Sequence, residues 1–202
     1  MTPVYKFSAS SGLVGARTNF RSMLAGNTTW NPWEPQGAMD ALATVTVPSG
    51  GLASIQFAAI PTGYKHLQVR SIHGHASAGT NYLGLTFNGV GGSSYSGHVL
   101  WGNGSTAGAN AGNGASASSI FAGTASTTTT AYGASIIDIL DYASVSKFKT
   151  TRHLAGIESN TTNSGIELIS GLFMSTNPIT SLTITGSIAF SQHSTFSLYG
   201  VK

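Results

Sequence analysis

The alternation in residues 134–154, ASIIDILDYASVSKFKTTRHL, limits the fold more than any other stretch. Ile136, Asp138 and Leu140 share one face of an extended chain, and Ile137, Ile139 and Asp141 share the other. β-Branched side chains favour that backbone because their stiff χ1 suits a pleated surface. After a short polar connection, Phe148, Thr150, Arg152 and Leu154 stand opposite Lys147, Lys149, Thr151 and His153. Period-2 alternation on both sides of a turn predicts an antiparallel hairpin. It holds two of the six acidic and three of the nine basic residues of a chain otherwise almost without charge, so it is expected at the centre of a sheet. Asp138, beside Ile136 and Leu140, is expected to be buried and paired with Arg152 or Arg70.

Turn signals divide the rest of the chain. Strands are predicted over residues 42–47, 52–60, 64–75, 81–88 and 95–101, with Leu83, Leu85 and Phe87 pointing inward. Asn88-Gly89 is a hairpin-grade turn dipeptide. Residues 102–119, GNGSTAGANAGNGASASS, read as a flexible loop of small residues. Further strands are predicted over 120–122, 166–173, 179–190 and 195–201. Many short strands without a long helical period predict an all-β fold, an antiparallel β-sandwich of jelly-roll type.

Residues 1–40 differ. They hold no sustained period, although Phe20, Met23 and Leu24 would share a face of a short helical turn. The run WNPWEP at residues 30–35 forces an extended path through its prolines. Two tryptophans so close together are expected to be anchors against another protein; the alternative is a segment that folds back over its own domain's open edge. The predicted organisation is a docking arm, residues 1–40, followed by a sandwich domain, residues 41–202. Phe20, Met23, Leu24, Trp30 and Trp33 are the expected docking residues.

Only 7% of the 202 residues are charged, against 41% hydrophobic. About a quarter is usual for charged residues, and a disordered chain would have the opposite balance. Gly, Ser, Thr, Ala and Asn take the place of charge. Such a surface repels neighbours weakly and suits a protein that works inside an assembly. The net charge of +3 is scattered, so no basic patch for nucleic acid is read. With no cysteine, disulfides and thiolate metal sites are excluded. There is no apolar run long enough for a membrane helix, and MTPVYKFSAS has no basic and apolar signal pattern.

Catalytic motifs are lacking. No G-x-S-x-G or H-E-x-x-H occurs, Asp138 and Asp141 point to opposite strand faces, and no cofactor is expected. The least favoured reading, a hydrolase, would rest on Asp138 or Glu158. His73-Gly-His75 puts two imidazoles on one strand face without a third ligand in view, so a partly exposed histidine pair is expected there and no metal site. Exposed aromatics can stack on sugars; Tyr82, Tyr95 and Trp101, with Tyr64 and Tyr132, are the candidates for glycan or partner contact, and core packing or loop anchoring is the other reading of the same residues.

Several segments together resemble small virion structural proteins of tailed bacteriophages. They are FRSMLAGN at 20–27, FAAIPTGYKHLQVR at 57–70, LWGNGST at 100–106, IDILDY at 137–142, KFKTTR at 147–152 and the ending FSLYGVK at 196–202. The resemblance spans nearly the whole chain and implies no catalytic residues. It implies a capsid decoration (cement) protein or short head or tail fibre, anchored by its arm to the major capsid protein or another virion protein. A homotrimer would be expected, assembled in the bacterial cytoplasm and released by lysis. The alternative is a receptor-binding fibre module that holds host surface glycans.

Overall fold

A computed structural model describes residues 38–76, 81–117, 120–125, 130–158 and 164–202. The fold is all-β, and Met39–Lys202 forms one compact unit. Its strands are β1 (Met39–Thr46), β2 (Leu52–Phe57), β3 (His66–His73), β4 (Asn81–Phe87), β5 (Tyr95–Gly102), β6 (Ala107–Ala117), β7 (Ile120–Ala125), β8 (Gly133–Leu140), β9 (Lys149–Ile157), β10 (Gly165–Phe173), β11 (Leu182–Phe190) and β12 (Thr195–Val201). Among the described residues there is no helix. Two antiparallel sheets form, one of eight strands in the order β1-β12-β3-β8-β9-β10-β5-β6 and one of four in the order β2-β11-β4-β7. The pairings β1–β12, β2–β11, β3–β8 and β4–β7 are nested inside one another.

The predicted hairpin is β8–β9, and it occupies the middle of the large sheet. One core lies between the sheets. Leu67, Val69, Ile137, Ile139, Phe196 and Leu198 of the large sheet meet Ile55, Phe57, Leu83, Leu85, Phe87, Leu182 and Ile184 of the small one. As expected, Leu83, Leu85 and Phe87 point inward. Strand β7 lies across β9, β10 and β5. It comes so close that a Cβ at Gly171 would stand 2.5 Å from the Ile120 side chain.

Asn88-Gly89 makes a tight turn, both residues at positive φ, but no hairpin. It takes the chain from β4 in the small sheet to β5 in the large one. Asn88 Nδ2 donates to the Pro178 carbonyl at 2.9 Å, and its Oδ1 accepts from the Thr180 and Ser181 N–H groups at 2.8 and 3.1 Å. The turn therefore also holds the entry to β11, which a local sequence signal does not reveal.

The expected loop at 102–119 is a second difference. Most of it is β6, paired with β5 along Gly97↔Gly112, Val99↔Asn110 and Leu100↔Ala109. Small residues carry no period to detect, but their backbone N–H and C=O groups pair as well as any others. The bare backbone at Gly108 also leaves room for the Trp101 ring, from which a Cβ there would stand 2.6 Å.

The hairpin turns polar residues of β9 inward. Lys149, Thr151 and His153 are buried, while Thr150, Arg152 and Leu154 face solvent. Lys149 is tolerated because its Nζ donates to the carbonyls of Ser144, Lys147 and Ser175, at 2.6, 3.0 and 3.2 Å. All three ammonium donors are thus satisfied, and the cation ties the β8–β9 connection to the chain after β10. Burial lowers its pKa. Replacing it by Met leaves these carbonyls without their donor. Lys149→Met is expected to lower stability by about 2–3 kcal/mol, read as a lower urea midpoint with an unchanged slope.

Candidate functional site

The outer face of the eight-stranded sheet departs most from an ordinary surface. Strand register sets residues side by side across it. One row runs Thr44, Ser197, Arg70, Ile136, Leu154, Leu168, Leu100, Ala109 from β1 to β6. The next row on one side runs Ile72, Ala134, Gly156, Ile166, Gly102, Ala107 from β3 to β6. On the other side the row is Tyr199, Gln68, Asp138, Arg152, Ser170, His98, Ala111.

Ile72 is 59% exposed, Leu100 56%, Ile136 40%, Leu154 50%, Ile166 59% and Leu168 57%. A single exposed leucine needs no explanation, but six large aliphatics on one sheet face form a contiguous patch of the kind that marks an interaction site. Dispersion and hydrophobic burial are the interactions this face can offer, since little on it is charged. A groove of about 390 Å³ runs over it, lined by His98, Leu100, Ala109, Arg152, Leu168 and Ser170 among others.

The polar row is organised along its length. Gln68 Nε2 donates to Asp138 Oδ1 at 2.7 Å, and Arg70 Nε donates to Gln68 Oε1 at 2.7 Å. The Arg70 guanidinium also lies 5.5 Å from the Tyr199 ring centroid. Asp138 is therefore half-buried on the outer face, linked to Arg70 through Gln68 and in register with Arg152; it is not in the core as expected. The outward parity that carries Ile136 and Leu140 carries Asp138 with them. Consecutive apolar residues, Ile136-Ile137 and Leu168-Ile169, were the signal for a sheet apolar on both faces. A period-2 reading that seeks one buried face passes over it.

The expected contact residues fall in different places. Phe20, Met23, Leu24, Trp30 and Trp33 lie outside the described residues. Tyr82 is exposed on β4. Tyr95 is fully buried, stacked on Phe173 at 5.0 Å, and its hydroxyl donates to the Val90 carbonyl at 2.8 Å and accepts from the Phe87 N–H at 2.9 Å. It is a core residue and cannot meet a sugar in solvent. Trp101 lies half-buried over Gly108. Tyr64 packs against Gly200 and donates to Asp40 at 3.1 Å, and Tyr132 donates to the Gln192 carbonyl at 2.6 Å. These aromatics do not gather into one platform: Tyr82 is on β4 of the small sheet, Tyr95 and Trp101 are on β5 of the large one, and Tyr64 and Tyr132 lie just before β3 and β8.

His73 and His75 are buried, not partly exposed. They stack on Phe196 and Phe190, with centroids 5.6 and 5.2 Å apart. Around them runs a polar layer inside the sandwich. Ser71 Oγ lies 2.7 Å from Ser135 Oγ and 3.0 Å from His73 Nδ1, His75 Nδ1 lies 2.8 Å from the Ile188 carbonyl, and His153 Nε2 lies 2.8 Å from Thr151 Oγ1. Among the described residues no group of three or more His, Asp or Glu side chains could hold a metal ion. Nor is any helix there long and apolar enough to cross a membrane.

No family model, no curated protein and no solved structure matches the chain.

Burial of His153 pushes its pKa down to about 3, and burial lowers that of His75 as well. The unfolded imidazole titrates near 6.5, so in the acid range the unfolded chain binds protons that the folded one refuses. Stability is complete above about pH 6.5 and falls as the pH drops toward 3. Between pH 6.5 and 4 the loss is expected to be on the order of 3 kcal/mol. It is read from urea midpoints across that range, and a His153→Gln variant should show a shallower slope.

Proposed function

We propose that this chain is a structural subunit of a bacteriophage particle, displayed as a capsid decoration protein or short fibre and held there by contact with other protein. The observation that carries the reading is the outer face of the large sheet, with its aliphatic rows and few charges. A face like this is costly in isolation and stable when covered. A chain with 7% charged residues can be covered without stranding many ions away from water.

We read the fold as a jelly roll with additions. The nested pairings β1–β12, β2–β11, β3–β8 and β4–β7 support this, since a ribbon of eight strands rolled into two sheets pairs in that way. The two sheets of such a roll would be β1-β12-β3-β8 and β2-β11-β4-β7. Strands β5, β6, β9 and β10 then extend the first sheet. These added strands carry Leu100, Leu154, Ile166 and Leu168, four of the six exposed aliphatics. An extension that contributes open apolar surface suits a subunit better than a free domain. The family likeness of the sequence supplies the phage context. The arm, with Trp30 and Trp33, is proposed to dock on the major capsid protein or another virion protein; expected over residues 1–40, it ends before Met39 and Asp40, which pair with β12 as the start of β1.

Glycan binding has less support. Of Tyr82, Tyr95 and Trp101, Tyr95 lies in the core, Trp101 lies half-buried against Gly108, and Tyr82 is half exposed.

Peptides of this chain are expected in purified particles by mass spectrometry. The double variant Trp30→Ala with Trp33→Ala is expected to reduce incorporation at least about tenfold, the scale on which a tryptophan anchor contributes to an interface, with an unchanged unfolding midpoint. A chain abundant in infected cells but missing from purified particles would overturn the assignment.

A further inference from the structure

We infer that two copies of this chain pair face to face through the outer surface of the eight-stranded sheet, about a two-fold axis that runs along the strands between β9 and β10. The inference deepens the reading of the chain as an assembly subunit and rests on it for the expectation that the face is covered. The occupant is a second copy because the face is complementary to itself.

A two-fold axis in that position keeps each row and exchanges strands across it. β9 lies over the partner copy's β10, β8 over its β5, and β3 over its β6. In the aliphatic row, Leu154 then meets Leu168 of the second copy, and Ile136 meets Leu100. In the next row, Gly156 receives Ile166, and Ile72 stands over Ala107. Large residues thus fall opposite small ones where the row is uneven, and aliphatics meet where it is even. Isologous contacts require this kind of matching. In the polar row Asp138 faces His98 of the second copy, an acid opposite a base, and Arg152 faces Ser170. Each of these pairs occurs twice. A rotation about an axis along the strands leaves their direction unchanged, so the two sheets stack with their strands aligned, inside the range of aligned sheet packing.

The area is sufficient. Six strands, β3-β8-β9-β10-β5-β6, at ~4.8 Å spacing and three rows ~6.8 Å apart cover roughly 600 Å² of flat sheet per copy, or roughly 1,200 Å² for the pair before side-chain relief is counted, the lower bound for a stable interface. The pairing leaves β1 and β12 beyond the overlap. Its symmetry is two-fold, so a pair takes the place of the trimer that the family likeness suggests.

The chain has no cysteine, which makes a cross-linking test clean. Ile136 and Leu100 lie three strands apart within one copy, at ~14 Å, but opposite each other across the proposed axis. The full-length Ile136→Cys, Leu100→Cys double variant, treated with a short bis-maleimide, is expected to run as a covalent dimer on a denaturing gel. The full-length wild type should sediment as a dimer at micromolar concentration. Leu154→Glu should weaken the dimer at least tenfold while leaving the chain folded, with a wild-type far-UV circular dichroism spectrum, since the side chain is already half exposed. A wild-type chain that sediments as a monomer overturns the pairing, as does an oligomer indifferent to Leu154→Glu or a double variant that yields no covalent dimer. If the chain is nonetheless present in purified particles, the assembly reading survives that failure. A face-paired dimer missing from particles would keep the pairing and remove the phage assignment.

Discussion

A sheet of eight strands stands against a sheet of four, and most of what is unusual in this molecule follows from that mismatch. At ~4.8 Å per strand the large sheet is ~38 Å across and the small one ~19 Å. The four-strand layer cannot cover the whole inner face of its neighbour. Strand β7 compensates in part by lying across β9, β10 and β5, where glycines at 97 and 171 keep the large sheet's surface low. The extra width is therefore held by the ladder hydrogen bonds of β9, β10, β5 and β6.

The interior solves a different problem. The inner face of β9 brings Lys149, Thr151 and His153 into the sandwich, and β3 brings Ser71 and His73. Burial of such groups is tolerated when hydrogen bonds replace water. The three carbonyls around Lys149 Nζ and the hydroxyl pair Ser71–Ser135 do so here. Imidazoles stacked on Phe190 and Phe196 act as flat core residues. Polar residues thus go inside while leucines and isoleucines of the same strands go outside. An isolated domain has little reason for this exchange, and a subunit whose outer face is covered has one.

Much of the fold was legible because strand period and turn chemistry act locally. The hairpin 134–154, the inward Leu83, Leu85 and Phe87, and the turn at Asn88-Gly89 follow from side-chain alternation and from backbone preferences of one or two residues. The strand β6 was not legible, because its Gly, Ala and Asn residues pair through the backbone and carry no hydrophobic period. The burial of the His73–His75 pair was also missed, and that of Tyr95 was one of two readings the sequence left open. An aromatic or an imidazole is compatible with core and surface alike, and its neighbours in space come from distant strands.

By itself the sequence determined that the chain is built of antiparallel strands, where most of them turn, and that its surface is poor in ions. Those properties depend on residues within a few positions of one another. The tertiary structure alone decided which face of β8, β9 and β10 is inside. On β8, β9 and β10 both parities are chemically plausible, and the choice rests on where β7 and the small sheet lie. It also decided that Ile136, Leu154, Leu168 and Leu100, from four strands, form one continuous row, because strand register is a relation between distant segments that no local pattern encodes.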